Sequence, residues 1–297
     1  MEIRALRCFV EVVRRQSFTA AAEALFVTQP TVSKMIRNLE DELGMALLNR
    51  DIGHRKRRVA PTEAGRRVLA RAQEILASQR ALEDDLQALG DLRHGELTVG
   101  IPPLGATQFT AALSSFHQQW PGVELKLLES GSRELEKALR AEELECAVML
   151  APVAPDLDSI SICDYPLCLV APTNSPWAAR QTVPLADLAG EPFLLYGESF
   201  KLNEVIHRAC ARLGFTPEIA CRSSQWEFIA AMVEYGMGIA LLPEQYCRRL
   251  DAAHFTIRPL VKPEIRWSLA LAWRREAHRS RALDAWLDTV RQHLPES

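Results

Sequence analysis

The sequence predicts an all-α winged helix-turn-helix unit followed by an α/β body of two lobes. Three observations predict it. Within residues 1–60, apolar positions recur at steps of three and four in short blocks, the period of helices with one buried face. Four consecutive basic residues, Arg55-Lys56-Arg57-Arg58, stand directly behind those blocks. From Glu96 onward, short apolar runs alternate with amphipathic stretches of helical length, the rhythm of strand–helix–strand units.

Composition sets the outer bounds. A chain of 297 residues suggests two or three compact units at about 100–200 residues each. With 48 % hydrophobic and 25 % charged residues it has the balance of an ordinary soluble globular protein. No run reaches the ~18 uninterrupted apolar residues of a membrane span, so no membrane partner is expected. Charge falls at Glu2, Arg4 and Arg7, where a signal peptide carries its apolar core, so we expect no export signal and a cytoplasmic protein. Seven cysteines, at 8, 146, 163, 168, 210, 221 and 247, make no CxxC pair and no zinc-spaced Cys/His cluster. They read as reduced thiols packed as small apolar groups, and neither a metal nor a cofactor is expected. The net charge of −3 hides an asymmetry: residues 1–60 hold 11 Lys/Arg against 7 Asp/Glu, and residues 91–297 hold 20 against 26. A basic unit on an acidic body fits a protein that meets a polyanion at one end only.

In the first block, Ile3, Leu6, Phe9, Val10 and Val13 give an amphipathic helix of about three turns. Ser17 follows as N-cap of a short alanine-rich helix over residues 19–25. Phe26-Val27 breaks that pattern. Thr28 then restarts it as an N-cap, with Pro30 inside the first turn, where its missing N–H costs nothing. Val32, Met35, Ile36, Leu39 and Leu43 make one apolar face, and Gly44 stops the helix. Two short helices joined by a tight turn form the helix-turn-helix layout, in which the first turn of the second helix meets base edges. Here that turn offers Gln29, Thr31, Ser33 and Lys34. Glutamine suits adenine N6/N7, the hydroxyls suit bases or phosphate, and lysine suits guanine or phosphate. A plain three-helix bundle with a polar capped helix is the alternative these residues alone leave open.

The segment behind decides between them. After residues 46–50 come Asp51-Ile52-Gly53-His54, the basic run 55–58 and the exit Val59-Ala60-Pro61. A short strand, a glycine-containing turn and a basic return strand make a wing placed to track phosphate. Five motifs, Phe9-Val10-Glu11-Val12-Val13, Ser17-Phe18-Thr19-Ala20-Ala21-Ala22, Thr28-Gln29-Pro30-Thr31-Val32-Ser33, Ile36-Arg37-Asn38-Leu39-Glu40 and Pro61-Thr62-Glu63-Ala64-Gly65, resemble the N-terminal signature of LysR-type transcriptional regulators. The match runs without gaps over about 65 residues. Leu48, where the family often has phenylalanine, and Ala60-Pro61, in place of the usual leucine before threonine, depart from it. The resemblance implies that Gln29, Pro30, Ser33 and Arg50 contact duplex DNA. It also implies that the wing over 53–58, with Arg55, Lys56, Arg57 and Arg58, reaches the flanking minor groove.

Between Thr62 and Leu89 there is no proline, and Val68, Ala72, Ile75, Gln79, Leu82, Leu86 and Leu89 step by four and three. This is a heptad seam of about four repeats with one polar position. It suits either a two-stranded coiled coil or a helix packed on its own domain, and twofold operators favour the first. The resemblance implies a dimerising linker and a homodimer or homotetramer. Gly90 to Gly95 marks the boundary, giving units 1–61, 62–90 and 91–297.

In the body we read strands at residues 97–101, 123–128, 146–150, 167–171, 193–196 and 239–242. Helices fall over about 106–118, 131–141, 201–213, 224–235 and 280–293. This rhythm predicts a largely parallel sheet in two lobes, lobe I over about 91–161 with 266–297 and lobe II over about 162–265. Such lobes bind ligands in the cleft between them, and helix N-termini there favour anions. Three junctions present polar groups: Glu129-Ser130-Gly131-Ser132, Tyr196-Gly197-Glu198-Ser199 and Ser223-Ser224-Gln225. Each serine is also an ordinary helix cap candidate.

The body is similar to the effector-binding domain of the same family, which implies the type 2 periplasmic-binding-protein fold. Ser223-Ser224-Gln225-Trp226-Glu227-Phe228-Ile229-Ala230, Gly238-Ile239-Ala240-Leu241-Leu242-Pro243, Glu191-Pro192-Phe193-Leu194-Leu195-Tyr196, Leu213-Gly214-Phe215-Thr216-Pro217 and Arg266-Trp267-Ser268-Leu269-Ala270 resemble its CidR-like branch, associated with small carboxylates. The resemblance places Ser130, Tyr196, Ser199 and Gln225 at the cleft beside Ser224, with Leu104, Phe200 and Trp226 as apolar walls. The expected function is therefore a sequence-specific DNA-binding regulator that reads an interrupted palindrome and answers a small anionic effector. RNA polymerase is a further candidate partner. Two other functions share parts of this pattern. A solute-binding transport component needs an export signal and no DNA-binding unit. A hydrolase using Ser199 lacks the closing glycine of a nucleophile elbow and any visible base, so no enzyme is expected.

Overall fold

The structure, a computed structural model, describes residues 1–49, 59–87 and 95–294; for residues 80, 81 and 83–87 it describes the backbone alone. The chain divides into two compact units, Met1–Leu89 and Gly90–Ser297.

The first unit comprises α1 (Ile3–Arg15), α2 (Phe18–Ala24), α3 (Gln29–Leu43), β1 (Leu48–Asn49), β2 (Ala60–Pro61) and α4 (Glu63–Gln87). Leu6, Phe9, Val12, Ala21, Val32, Ile36, Leu39 and Leu47 close its core, so the steps of three and four mark buried faces except at Ile3 and Leu43, which stand exposed at the helix ends. Ser17 caps α2, its Oγ accepting from the Ala20 amide at 3.2 Å. Thr28 stands at the N-cap of α3, but its hydroxyl pairs with the Thr31 hydroxyl at 2.8 Å instead of a backbone N–H. Gly44 ends α3 in the left-handed region at φ 66°, a conformation open to glycine without strain. In the intervening turn the Val27 amide returns to the Ala22 carbonyl at 3.0 Å, which satisfies an end carbonyl of α2.

The wing is anchored from α3. β1 and β2 pair antiparallel, Leu48 opposite Pro61 and Asn49 opposite Ala60. Glu40 Oε1 accepts from the Leu47 amide at 2.8 Å and the Leu48 amide at 3.2 Å, which fixes β1 against the helix. Arg50 and the basic run 55–58 lie outside the described residues. The seam of α4 is divided. Ala72 is buried in the unit's own core and Val68 packs against it, while Arg7 of α1 donates to Gln79 Oε1 at 3.5 Å. Ile75 and Leu82 instead face solvent. The side chain of Leu86, and all of Leu89, lie outside the described residues.

The second unit runs β3 (Gly95–Ile101), α5 (Thr110–Gln119), β4 (Val123–Glu129), α6 (Ser132–Arg140), β5 (Cys146–Leu150), β6 (Leu157–Pro172), β7 (Val183–Pro184) and β8 (Pro192–Tyr196). It continues with α7 (Lys201–Arg212), β9 (Glu218–Ser223), α8 (Trp226–Glu234), β10 (Ile239–Pro243), α9 (Glu244–Cys247), β11 (Phe255–Val261), β12 (Arg266–Arg274) and α10 (Arg281–Gln292). Strand order is β4-β3-β5-β12-β6-β10-β8-β9, with β11 also on β6. The 16-residue β6 serves two sheets. From Leu157 to Pro166 it pairs with β12, and from Leu167 to Pro172 with β10 and β11.

β3 is parallel to β4 and β5, and β8 is parallel to β9 and β10, as the strand–helix–strand rhythm predicts. β6 and β12 depart from the largely parallel expectation: both pair antiparallel with their neighbours, because they are connectors running between lobes. β5 shows the packing on both faces. Cys146, Val148 and Leu150 join a core with Val99, Phe116 and Trp286, and Ala147 and Met149 join Leu135, Leu139 and Leu144 on the other side. Trp286 of α10 is fully buried, edge-on to Phe116 with ring centroids 5.6 Å apart. All seven cysteines are free thiols and five are buried. No helix among the described residues is long and apolar enough to cross a membrane.

Trp286→Ala is expected to lower the unfolding free energy of the second unit by about 3–5 kcal/mol, the usual cost of deleting a buried aromatic. Urea unfolding followed by circular dichroism measures it. A shift under about 1 kcal/mol would contradict a core built on that ring.

Candidate functional site

Two surfaces carry the chemistry. The first is the N-terminal turn of α3. Val32 and Ile36 are fully buried, which turns Gln29, Pro30 and Lys34 to solvent and leaves Thr31 and Ser33 half-buried. Gln29 Nε2 donates to Ser33 Oγ at 2.9 Å, one turn along the helix. This bond and the Thr28–Thr31 hydroxyl pair present donors and acceptors already oriented on a rigid element. Such a surface can meet base edges in a major groove without ordering its side chains on contact.

The second is the junction of the two lobes in the second unit. The Gly131 turn at the start of α6 in lobe I lies against Ser199 of lobe II: a Cβ added to Gly131 would collide with the Ser199 side chain and carbonyl. The Arg133 amide also donates to the Ser199 carbonyl at 3.5 Å. Beneath this contact lies a cavity of about 10 Å³, room for about one water-sized molecule. Pro102, Leu104, Leu150, Phe200, Trp267 and Leu269 form its apolar walls, and Ser132 and Lys201 are its polar ones. Two ion pairs span α6 and α7: Lys201 with Glu136, and Arg133 with Glu204 at 2.5 Å.

Behind the cavity, β6 and β12 form the crossing between lobes. Asp164 accepts from Arg266 Nε at 2.7 Å and from the Ser268 hydroxyl at 2.5 Å, pinning the two strands side by side. Partial burial pushes the Asp164 carboxyl up, but these hydrogen bonds and the guanidinium charge outweigh it and hold it below the usual carboxylate range. Tyr165 stacks on Trp267, and Trp267 meets Tyr246 edge-on at 5.8 Å, so an aromatic cluster fills the same crossing.

Comparison with known proteins decides what this pairing of surfaces is. Residues 3–66 match the family described as "Bacterial regulatory helix-turn-helix protein, lysR family", and residues 90–295 match "LysR substrate binding domain". The chain belongs to the LysR family. It is a DNA-binding transcriptional regulator, a helix-turn-helix unit joined to an α/β effector-binding domain. A relative from Bacillus subtilis, the uncharacterized regulator YwbI, is 38 % identical over 296 residues, covering 99 % of this chain and 97 % of that protein. The dual regulator OxyR of Escherichia coli is 32 % identical over 279 residues, covering 92 % and 90 %. Among solved structures, a full-length OxyR variant from Pseudomonas aeruginosa aligns with a TM-score of 0.75 at 26 % identity, covering 100 % of this chain and 98 % of that one. The LysR-family regulator CbnR, at 22 % identity and a TM-score of 0.64, shares the fold over 100 % of both chains.

Within this LysR-family frame the predicted effector residues separate. Leu104 and Phe200 line the cavity, Ser199 lies at the lobe contact, and Ser130 is half-buried beside Gly131. Ser224 and Gln225 are exposed at the start of α8; Ser223 Oγ accepts from the Gln225 amide at 3.1 Å, a local turn bond. Trp226 is buried against Tyr246 with ring centroids 5.0 Å apart. Tyr196 lies in the lobe II core, not on the cavity wall. Its hydroxyl donates to the Leu241 carbonyl at 3.1 Å, and burial raises its pKa well above that of a free tyrosine. Phe193 to Tyr196 are all buried, so both faces of β8 are packed.

Sequence reading missed Lys201, Glu136, Trp267 and Asn203. Asn203 is buried with its amide donating to the Tyr196 and Gly197 carbonyls at 2.9 and 2.8 Å, which shapes the loop carrying Ser199. One signal for Lys201 was in reach: it opens α7, where the helix dipole disfavours a cation.

Two outcomes test this geometry. Gly131→Ala should fold, since its backbone (φ −71°) suits any residue, yet hold the lobes apart. Acrylamide quenching of tryptophan emission should rise as Trp267 opens to solvent; an unchanged quenching curve contradicts the contact. Asp164→Asn should cost stability at neutral pH. Because the folded carboxyl sits below its unfolded value of about 3.9, the wild-type advantage is present above that pH and fades as pH falls through the folded value. Urea midpoints at pH 7 and pH 3 for both proteins check the sign.

Proposed function

We propose that this LysR-family regulator binds a small anionic effector between the lobes of its second unit, and that lobe movement there alters how its paired helix-turn-helix units hold an interrupted palindrome. The observation that carries the reading is the lobe junction itself: apolar walls around a half-buried lysine, with ion pairs and a glycine contact that must rearrange if the lobes move. Leu104, Ser130, Ser199, Phe200, Ser224 and Gln225 are its remaining candidate contacts. Effector binding would shift the lobe equilibrium by its differential affinity for the two arrangements, and through it DNA spacing and bending.

For DNA we assign base reading to Gln29, Thr31 and Ser33, close backbone approach to Pro30, and phosphate or guanine contact to Lys34. Phosphate contacts fall to Arg50, Arg55, Lys56, Arg57 and Arg58. A homodimer or homotetramer, built in part through the exposed Ile75 and Leu82 of α4, supplies the twofold. Such a protein acts where the chromosome lies, in the bacterial cytoplasm.

The relatives named as activators of hydrogen peroxide-inducible genes raise a thiol-based reading. A peroxide-reactive cysteine needs a low pKa and access to solvent. Burial raises Cys8, Cys146, Cys163 and Cys210 here, and the hydrogen bond that Cys247 donates to Cys168 raises Cys247 and lowers Cys168, both buried. These thiols do not favour that reading.

Selection of operators from a random DNA pool, followed by titration at several salt concentrations, tests the DNA assignment. Gln29→Ala should relax base preference at one position of each half-site, a loss of about 1–3 kcal/mol in discrimination. Arg57→Ala should weaken binding to every sequence and flatten the salt slope by about one phosphate contact. An unchanged preference for the Gln29 variant contradicts its role as a base reader.

A further inference from the structure

Resting on the effector reading above, we propose that Lys201 is the counter-ion for a monocarboxylate with a short apolar body, and that Glu136 is a built-in stand-in for that carboxylate. Among the described residues that line the cavity, Lys201 is the only basic one, and its ammonium pairs with Glu136. The groups around it are the rings of Phe200 and Trp267, four leucines, Pro102 and a single polar neighbour, Ser132. A half-buried ammonium against apolar walls is costly unless a negative charge meets it. Here that charge comes from the opposite lobe, as the Glu136 carboxylate of α6.

Three features make Glu136 replaceable. It has a second cation, Arg140 one turn along α6 at 2.8 Å, so it keeps a partner when Lys201 turns to another anion. Among the described residues Lys201 pairs with no second carboxylate, so it needs a substitute when Glu136 leaves. The pair also joins the two lobes, so exchanging Glu136 for a free carboxylate releases one of the two salt bridges that hold α6 to α7, leaving Arg133–Glu204. Binding and lobe release are then one event, which is what a switch requires. The walls specify the rest of the ligand. One cationic group fits one carboxylate, and the apolar surround fits a short hydrocarbon body better than a second charge or a sugar. Room for about one water-sized molecule means that even a small acid enters only as the lobes part.

Isothermal titration of the full-length protein tests this, with acetate, propionate and butyrate as probes, propionamide as the uncharged match, and succinate and inorganic phosphate as other anions. Wild type is expected to bind at least one monocarboxylate and not propionamide. Glu136→Gln, which removes the competing charge and keeps the shape, should tighten that binding about tenfold. Lys201→Met should weaken it tenfold or more, the scale of one lost charge-assisted hydrogen bond, and Lys201→Arg should recover part of it. Circular dichroism confirms folding, and Lys201→Gln replaces the methionine variant if that one is unfolded. Monocarboxylate binding that survives Lys201→Met, or that is unchanged or weaker in Glu136→Gln, overturns this assignment and leaves the effector reading standing. So does binding of succinate or phosphate alone. If no anion binds wild type or Glu136→Gln, both the assignment and the anionic-effector reading fail.

Discussion

Leu157–Pro172 belongs to two sheets at once, and the second unit depends on that shared strand. Its hydrogen bonds to β12 build lobe I, its bonds to β10 and β11 build lobe II, and the change of partner falls at Pro166–Leu167. The return crossing into β12 lies alongside, where the Leu167 amide donates to the Ile265 carbonyl at 2.8 Å. Two adjacent crossings allow rotation between lobes while the sheets on either side stay intact, because each sheet keeps its own ladder. The Asp164–Arg266–Ser268 cluster and the stacked Tyr165 and Trp267 keep the crossing strands in register. Beside the shared core cluster, which runs from Leu104 and Leu150 to Phe200 and Tyr246, the lobes meet through a few polar side-chain contacts.

Those contacts are modest in scale. Exposed ion pairs contribute about 0–1 kcal/mol each, and the Arg133–Glu204 pair is of that kind. Lys201 and Glu136 are more enclosed, with side-chain exposures of 29 % and 16 %, so their pairing is worth more and leaving either one alone costs more. In the function proposed above, the binding energy of a small molecule acts on this junction. The helix-turn-helix unit is built the opposite way. Val32, Ile36 and Leu39 lock α3 on the core, Glu40 locks β1 onto α3, and Gln29 and Ser33 are tied to each other. A reading surface has to be rigid; a sensing surface has to move.

This difference explains what the sequence displayed. Helices and caps in residues 1–45 were legible because periodicity, Ser17, Pro30 and Gly44 are local signals, and the recognition surface follows from which face is buried. The split seam of α4 was half legible: the heptad steps fit both a partner helix and α1, and only packing shows that Ala72 went to the unit's own core. In the second unit the parallel strands other than β9 stand out as apolar runs. The first ten residues of β6 were passed over although Leu157, Ile160 and Ile162 alternate with polar residues, since prolines 152 and 155 suggested a loop. β9 was missed because it is an exposed edge strand with few apolar residues. Of the cleft, Ser199 and Phe200 were in reach as a loop before a helix. Glu136 was not, because its partner lies 65 residues away and nothing local marks the pairing.

The lobe movement proposed above centres on the α6–α7 junction. Hydrogen exchange of the full-length protein, with and without a bound short-chain carboxylate, measures this most directly. Amides in segments 131–136 and 199–204 are expected to change exchange rate together on ligand addition, while the β3 and β5 amides stay as they were. Unchanged exchange in both segments at saturating ligand, or a change spread evenly over both lobes, would contradict it.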